Sequence, residues 1–105
     1  MCYIYNVIMN NLSFAWDEQK NRANQKKHGI SFEEAESVFY DEDALEFFDP
    51  DHSGEEDRFI LLGVSLKLRT LVVCHCYREK ESVIRIFSAR KATAKEKEHY
   101  KENQR

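Results

Sequence analysis

Three apolar stretches, Arg58–Val64, Leu68–Tyr77 and Val83–Arg90, are separated only by the short polar breaks Ser65-Leu66-Lys67 and Glu79-Lys80-Glu81-Ser82. Breaks this short close antiparallel hairpins, whereas a parallel crossover needs a dozen residues or more. Leu71 and Val73 alternate with Val72, Cys74 and Cys76, so both faces of the sheet carry apolar groups and both need cover. Ala44 to Phe48 is strand-like as well, and Asp49-Pro50-Asp51-His52-Ser53-Gly54 reads as a turn leading into the next strand.

The cover comes from helices at either end. After a short first strand at Phe14-Ala15-Trp16, Asp17 is a helix N-cap and Gly29 a C-terminal stop, which predicts a helix over 18–28. Its only apolar residue between Glu18 and His28 is Ala23, so no greasy stripe docks it. Lys20, Asn24, Lys27 and His28 recur along one side and read either as a solvated face or as a basic, hydrogen-bonding ridge turned to a ligand. Ser31-Phe32-Glu33-Glu34 has the form of a capping box, with Glu34 reaching back, and Phe32, Ala35, Val38 and Phe39 form a core stripe behind it. A short charged helix over Lys95 to Asn103 ends the chain and leaves part of the second face open to a partner. The order predicts an α+β fold: two N-terminal helices packed on an antiparallel four- to five-stranded sheet, with a short C-terminal helix.

A chain of 105 residues supports one core. The domain is expected over 14–105, with residues 1–13 as an N-terminal extension. That extension lacks a basic leader, and Asn6, Asn10 and Asn11 break its apolar run, so neither a signal peptide nor a membrane span is expected and the cytoplasm is the expected compartment. The odd set Cys2, Cys74 and Cys76 has no disulfide spacing. Cys74-His75-Cys76 invites a metal, but on a strand the two thiols face away from the imidazole and no second pair of ligands stands out. No metal and no cofactor are expected.

The formal net charge of −3 hides an asymmetry: residues 31–57 hold 12 acidic and no basic residues, and residues 58–105 hold 12 basic and 5 acidic ones. No phosphate-binding loop, dinucleotide fingerprint, metalloprotease motif or nucleophile elbow is present. What remains is a set of strand arginines, Arg58, Arg78, Arg85 and Arg90, followed by Tyr100 on the last helix. Arginine on an apolar strand either pairs with a carboxylate, here from the acidic segment, or faces a ligand. Planar guanidinium groups match phosphate oxygens bidentately.

Phe14-x-Trp16-Asp17, Lys20, Asn24, Lys27-His28-Gly29-x-Ser31-Phe32-x-Glu34-Ala35 and Val38-Phe39 resemble the first half of the BrnT toxin family. Arg58, Gly63, Ile84-Arg85-Ile86-x-Ser88-Ala89-Arg90-x-Ala92, Glu96 and Tyr100 resemble its second half, in the same order. The resemblance implies a RelE-like fold and metal-independent ribonuclease activity in a type II toxin–antitoxin pair. It implies neutralisation by a ribbon-helix-helix, BrnA-like antitoxin that binds the operator DNA.

In metal-free RNA cleavage the ribose 2′-hydroxyl attacks the adjacent phosphorus, a base removes its proton, an acid protonates the leaving 5′-oxygen, and cations stabilise the added charge. Arg58, Arg85 and Arg90 are expected to supply the cations. Lys27 and His28 would contact phosphate or act as base, Tyr100 would stack on a base or share in proton transfer, and Lys20 and Arg78 would bind the RNA backbone. His28 equally suits a C-cap role beside Gly29. His52 and His99 read as surface residues, and His75 as a core residue. The competing functions are a non-catalytic RNA- or partner-binding module and a DNA-binding regulator, the second weakened by the absence of a helix-turn-helix signal.

Overall fold

The computed structural model describes residues 13–78, 80 and 82–104. The elements run β1 (Ser13–Ala15), α1 (Glu18–His28), α2 (Phe32–Ser37), β2 (Leu45–Phe48), β3 (Phe59–Val64), β4 (Thr70–Arg78), β5 (Val83–Lys91) and α3 (Ala94–Glu102), with 3₁₀ turns at Val38–Tyr40 and Pro50–His52. Residues 1–12, most of the expected extension, lie outside the described residues, and Ser13 already belongs to β1. Among the described residues no helix is long and apolar enough to cross a membrane.

The strand order is β1-β5-β4-β3-β2. The hairpins expected from the short breaks form, so β2 to β5 are antiparallel. The expectation of a wholly antiparallel sheet is corrected at its edge: β1 lies parallel to β5, with Ser13 opposite Val83 and Ala15 opposite Arg85. A strand of three residues that leads into a helix has no hairpin partner to set its direction. The sheet is mixed.

One face, here called inner, packs on α2 and the turn after it: Phe32, Ala35, Val38 and Phe39 meet Leu61, Leu71, Val73, Ile84, Ile86 and Ala89. Gly63 on β3 lets that turn approach closely, because a Cβ there would lie 2.9 Å from both Ala44 Cβ and Val38 Cγ1. On the outer face Leu62, Val72 and Ala92 form a smaller cluster with Tyr100 of α3. Thr93 and Glu96 start that helix with a reciprocal capping box. Cys76 and Cys74 share the outer side of β4 and His75 lies fully buried on the inner side, as strand alternation requires.

α1 has the expected bounds and caps: Gln19 N–H donates to Asp17 Oδ1 at 2.8 Å, and Gly29 takes φ 73°. With no apolar stripe it docks through two buried asparagines. Asn24 donates to the carbonyls of Ile30 and Ala89 at 2.8 Å each and accepts from Ala89 N–H at 3.2 Å. Asn21 accepts from Phe32 N–H at 2.8 Å. β1 ends opposite Arg85, so Asn24 satisfies backbone groups that the edge of β5 would otherwise leave open. Asn24 therefore belongs to the scaffold rather than to a ligand-facing ridge.

The capping box expected at α2 is half formed. Ser31 Oγ accepts from Glu34 N–H at 3.0 Å, but the Glu34 carboxylate turns away from Ser31. It accepts instead from Ser65 Oγ at 2.7 Å and from Arg69, whose Nε lies 3.0 Å away. Burial pulls this carboxyl up, yet the hydrogen bonds from Arg69 and Ser65 outweigh it and hold it below the ordinary carboxylate value. A cation from the β3–β4 hairpin was a better partner for a buried carboxylate than the helix's own first turn.

Candidate functional site

The register of β5 against β4 shifts between Cys74 and His75: Cys74 faces Ser88 and His75 faces Ile86, leaving Phe87 as the extra residue. Such a bulge reverses the in-out alternation beyond it. Ile84 and Ile86 point to the core before it, and Ala89 does so after it. Arg85, Phe87, Ser88 and Arg90 consequently share the outer face, an arrangement that unbroken alternation forbids. A cleft of about 350 Å³ opens there, lined by Lys20, Asp49, His52, Arg58, Ile60, Val72, Cys74, Phe87, Ser88 and Arg90.

Phe87 is the centre around which the cations gather. The Arg58 guanidinium carbon lies 3.8 Å from the ring centroid, Lys20 Nζ 5.8 Å and the Arg85 guanidinium carbon 5.9 Å. A ring face attracts cations through its quadrupole, and it holds a guanidinium flat without consuming its hydrogen-bond donors. Lys20 reaches the cleft because it sits one helical turn before Asn24, the residue that clamps α1 to the edge of β5.

Arg90 lines the same cleft but is not free. It donates to Glu96 through Nη1 at 2.9 Å and Nη2 at 3.0 Å, and Nη1 also reaches the Lys91 carbonyl at 3.2 Å. The Arg90 hydrogen bond is the main reason that the Glu96 carboxyl falls from 4.5 to about 2, with burial opposing and the Thr93 amide assisting.

The loop before β3 carries a feature that the sequence reading treated only as a turn. His52 Nδ1 lies 2.8 Å from Asp49 Oδ2, and the Asp49 side chain is about one-tenth exposed. Asp49 N–H donates to the Arg58 carbonyl at 2.8 Å, Ser53 Oγ donates to the Asp49 carbonyl at 2.7 Å, and Arg58 N–H donates to Ser53 Oγ at 2.8 Å. Asp49, His52 and Arg58 are thus fixed to one another by a closed loop. The signal was present as Asp49-Pro50-Asp51-His52, a carboxylate and an imidazole three apart on a turn begun by proline. Phe87 was missed because only the bulge puts it beside both Arg85 and Arg90.

The remaining residues singled out by sequence stand elsewhere. Arg78 is held by Glu56, with Nη2 at 3.0 Å from each carboxylate oxygen, so for Arg78 the pairing with the acidic segment applies. Tyr100 is 5% exposed and packs with Leu62, Val72 and Ala92. Its hydroxyl donates to Asp41 at 2.6 Å; burial first and Asp41 second push it up to about 12. That placement anchors α3 and leaves no ring face open to stack on a base. Lys27 is exposed on α1 and His28 half-buried at its end; neither lines the cleft.

Comparisons with known proteins bear on the family and the fold. A family model described as the ribonuclease toxin BrnT of type II toxin–antitoxin systems matches residues 16–96. No match was found among curated proteins. Among solved structures, the chain is similar to the crystal structure of the Brucella abortus ribonuclease toxin BrnT, with a TM-score of 0.60 and 23% identity over 78% of this chain and 97% of that one. The chain belongs to the BrnT family of ribonuclease toxins of type II toxin–antitoxin systems.

Proposed function

We propose that the cleft around Phe87 binds the RNA backbone and cleaves it without a metal ion, in the cytoplasm, with arrest of translation and growth. The observation that carries this reading is the gathering of Lys20, Arg58 and Arg85 about one aromatic ring, with Arg90 in the same cleft. Arg58, in the cleft lining, offers guanidinium donors to the phosphate that gains charge as the 2′-oxygen attacks, and Arg85 reaches the same ring from outside that lining. Lys20 extends the cationic track along the strand. Arg90, set by Glu96, presents a positioned cation in the same lining. The side chains supply the positive charge that a metal would bring, and Asp49, the carboxylate in the cleft lining, is engaged by His52.

The partner under this reading is a ribbon-helix-helix antitoxin of the BrnA kind, which neutralises the chain and carries the complex to operator DNA. The RelE-like character implied by the sequence resemblance accords with side-chain cations mounted on a sheet face. The deciding experiment incubates the purified chain with RNA in EDTA. Cleavage that persists supports the reading. Binding without cleavage favours a non-catalytic module, and cleavage that returns only with a divalent cation removes the metal-independent step.

A further inference from the structure

Proton transfer needs a group that takes a proton near neutrality and is aimed at the place where phosphate is held. The arginines of the cleft cannot serve, because arginine does not deprotonate in proteins, and Lys20 is exposed, without the burial that lets a lysine act as a base. His28 does not line the cleft, and the Tyr100 hydroxyl is committed to Asp41. His52 lines the cleft together with Lys20, Arg58 and Arg90.

We propose that His52, oriented by Asp49, is the general base of this cleft. The inference rests on the RNA-cleaving reading of the same site. Asp49 is buried, and its Oδ2 accepts from His52 Nδ1 at 2.8 Å, so the proton of the neutral ring sits on Nδ1 and the lone pair on Nε2. The carboxylate also stabilises the imidazolium that forms. The backbone ties from Asp49 to Arg58 and from Arg58 to Ser53 fix the distance between base and phosphate-binding cation. In the step, the 2′-oxygen forms a bond to phosphorus while its proton passes to His52 Nε2. The bond from phosphorus to the 5′-oxygen breaks, and that oxygen takes a proton from water. His52 returns its proton to the hydroxide so formed. The products are a 2′,3′-cyclic phosphate and a 5′-hydroxyl, with the enzyme unchanged.

The test compares the full chain with His52→Ala, His52→Gln, Asp49→Asn and Arg58→Gln on a short RNA, measuring kcat and KM separately. The His52 side chain is 68% exposed, so its replacement leaves the fold in place, which a thermal melt checks. Loss of kcat by roughly 10²–10⁴-fold in both His52 variants, with KM nearly unchanged, is expected for a lost general base. Added free imidazole should restore part of the rate in His52→Ala and none in Arg58→Gln. Asp49→Asn should lower kcat less than His52→Ala. If His52→Ala keeps its kcat while Arg58→Gln loses activity, the base assignment is overturned and the cleft reading stands. If neither variant loses activity, both fall. A rise in KM alone, without imidazole rescue, makes His52 a binding residue and overturns the proposal.

Discussion

Asn24 of α1 is bonded to Ala89 of β5 through both of that residue's backbone groups, N–H at 3.2 Å and carbonyl at 2.8 Å. The pair spans 65 positions of sequence and attaches a helix without an apolar face to the open edge of a sheet. It also sets Lys20, one turn earlier, beside Phe87 at 5.8 Å.

Asn24→Ala leaves two buried groups of Ala89 and the Ile30 carbonyl without this partner, which should cost roughly 2–4 kcal/mol. Urea unfolding measures it. A loss below about 0.5 kcal/mol would show that α1 is held by something other than this clamp.

Gly63→Ala puts a methyl group 2.9 Å from Val38 Cγ1 and Ala44 Cβ and 3.0 Å from Asp41 Oδ2. All three belong to the segment between α2 and β2, and Asp41 also accepts from Tyr100, so the clash reaches both faces of the sheet. The expected penalty is about 1–3 kcal/mol, read as a lower melting temperature.

The Glu96 carboxyl stands near 2 in the folded chain against an ordinary 4.5. A depressed carboxyl contributes stability that is complete above its unfolded value and disappears as pH falls through its folded one. The stability difference between the native chain and Glu96→Gln should be constant above pH 4.5 and vanish between 4.5 and about 2. Because the pair is partly exposed, the difference should be small, about 1 kcal/mol or less. Denaturant titrations from neutral pH downward test this, and a difference that grows on acidification would contradict the Arg90–Glu96 assignment.

Tyr100→Phe removes the hydroxyl that donates to Asp41 and keeps the ring in its apolar cluster. A loss of about 1 kcal/mol in stability with kcat unchanged is expected from a structural anchor. A fall in kcat with stability retained would return Tyr100 to the chemistry.

What the sequence conveyed best was local. Asp17, Gly29 and Ser31 announce their caps because each acts on its own turn, and the three-stranded meander follows from breaks too short for any crossover. What it concealed depends on distant partners. Glu34 looks like a capping residue until Arg69 and Ser65 arrive from the hairpin, and β1 carries no sign of its parallel pairing with β5. The site divides in the same way. Arg58, Arg85 and Lys20 were legible as cations on strands and a helix, but their common centre, Phe87, emerges only through the bulge. Arg78 belongs to Glu56 by virtue of a loop contact 22 residues away. His52 is the surface residue that its turn motif suggests, 68% exposed, but the motif hides the buried carboxylate of Asp49 that its ring bonds.

The most direct measurement of the central claim is the cleavage rate of Arg58→Gln in EDTA, with folding checked by its melting curve. The guanidinium over Phe87 is the cation nearest the ring. Its loss should reduce kcat/KM by about 10²–10³-fold while the fold persists. A folded Arg58→Gln chain that cuts RNA at the native rate would contradict the cleft as the place where the backbone is cleaved.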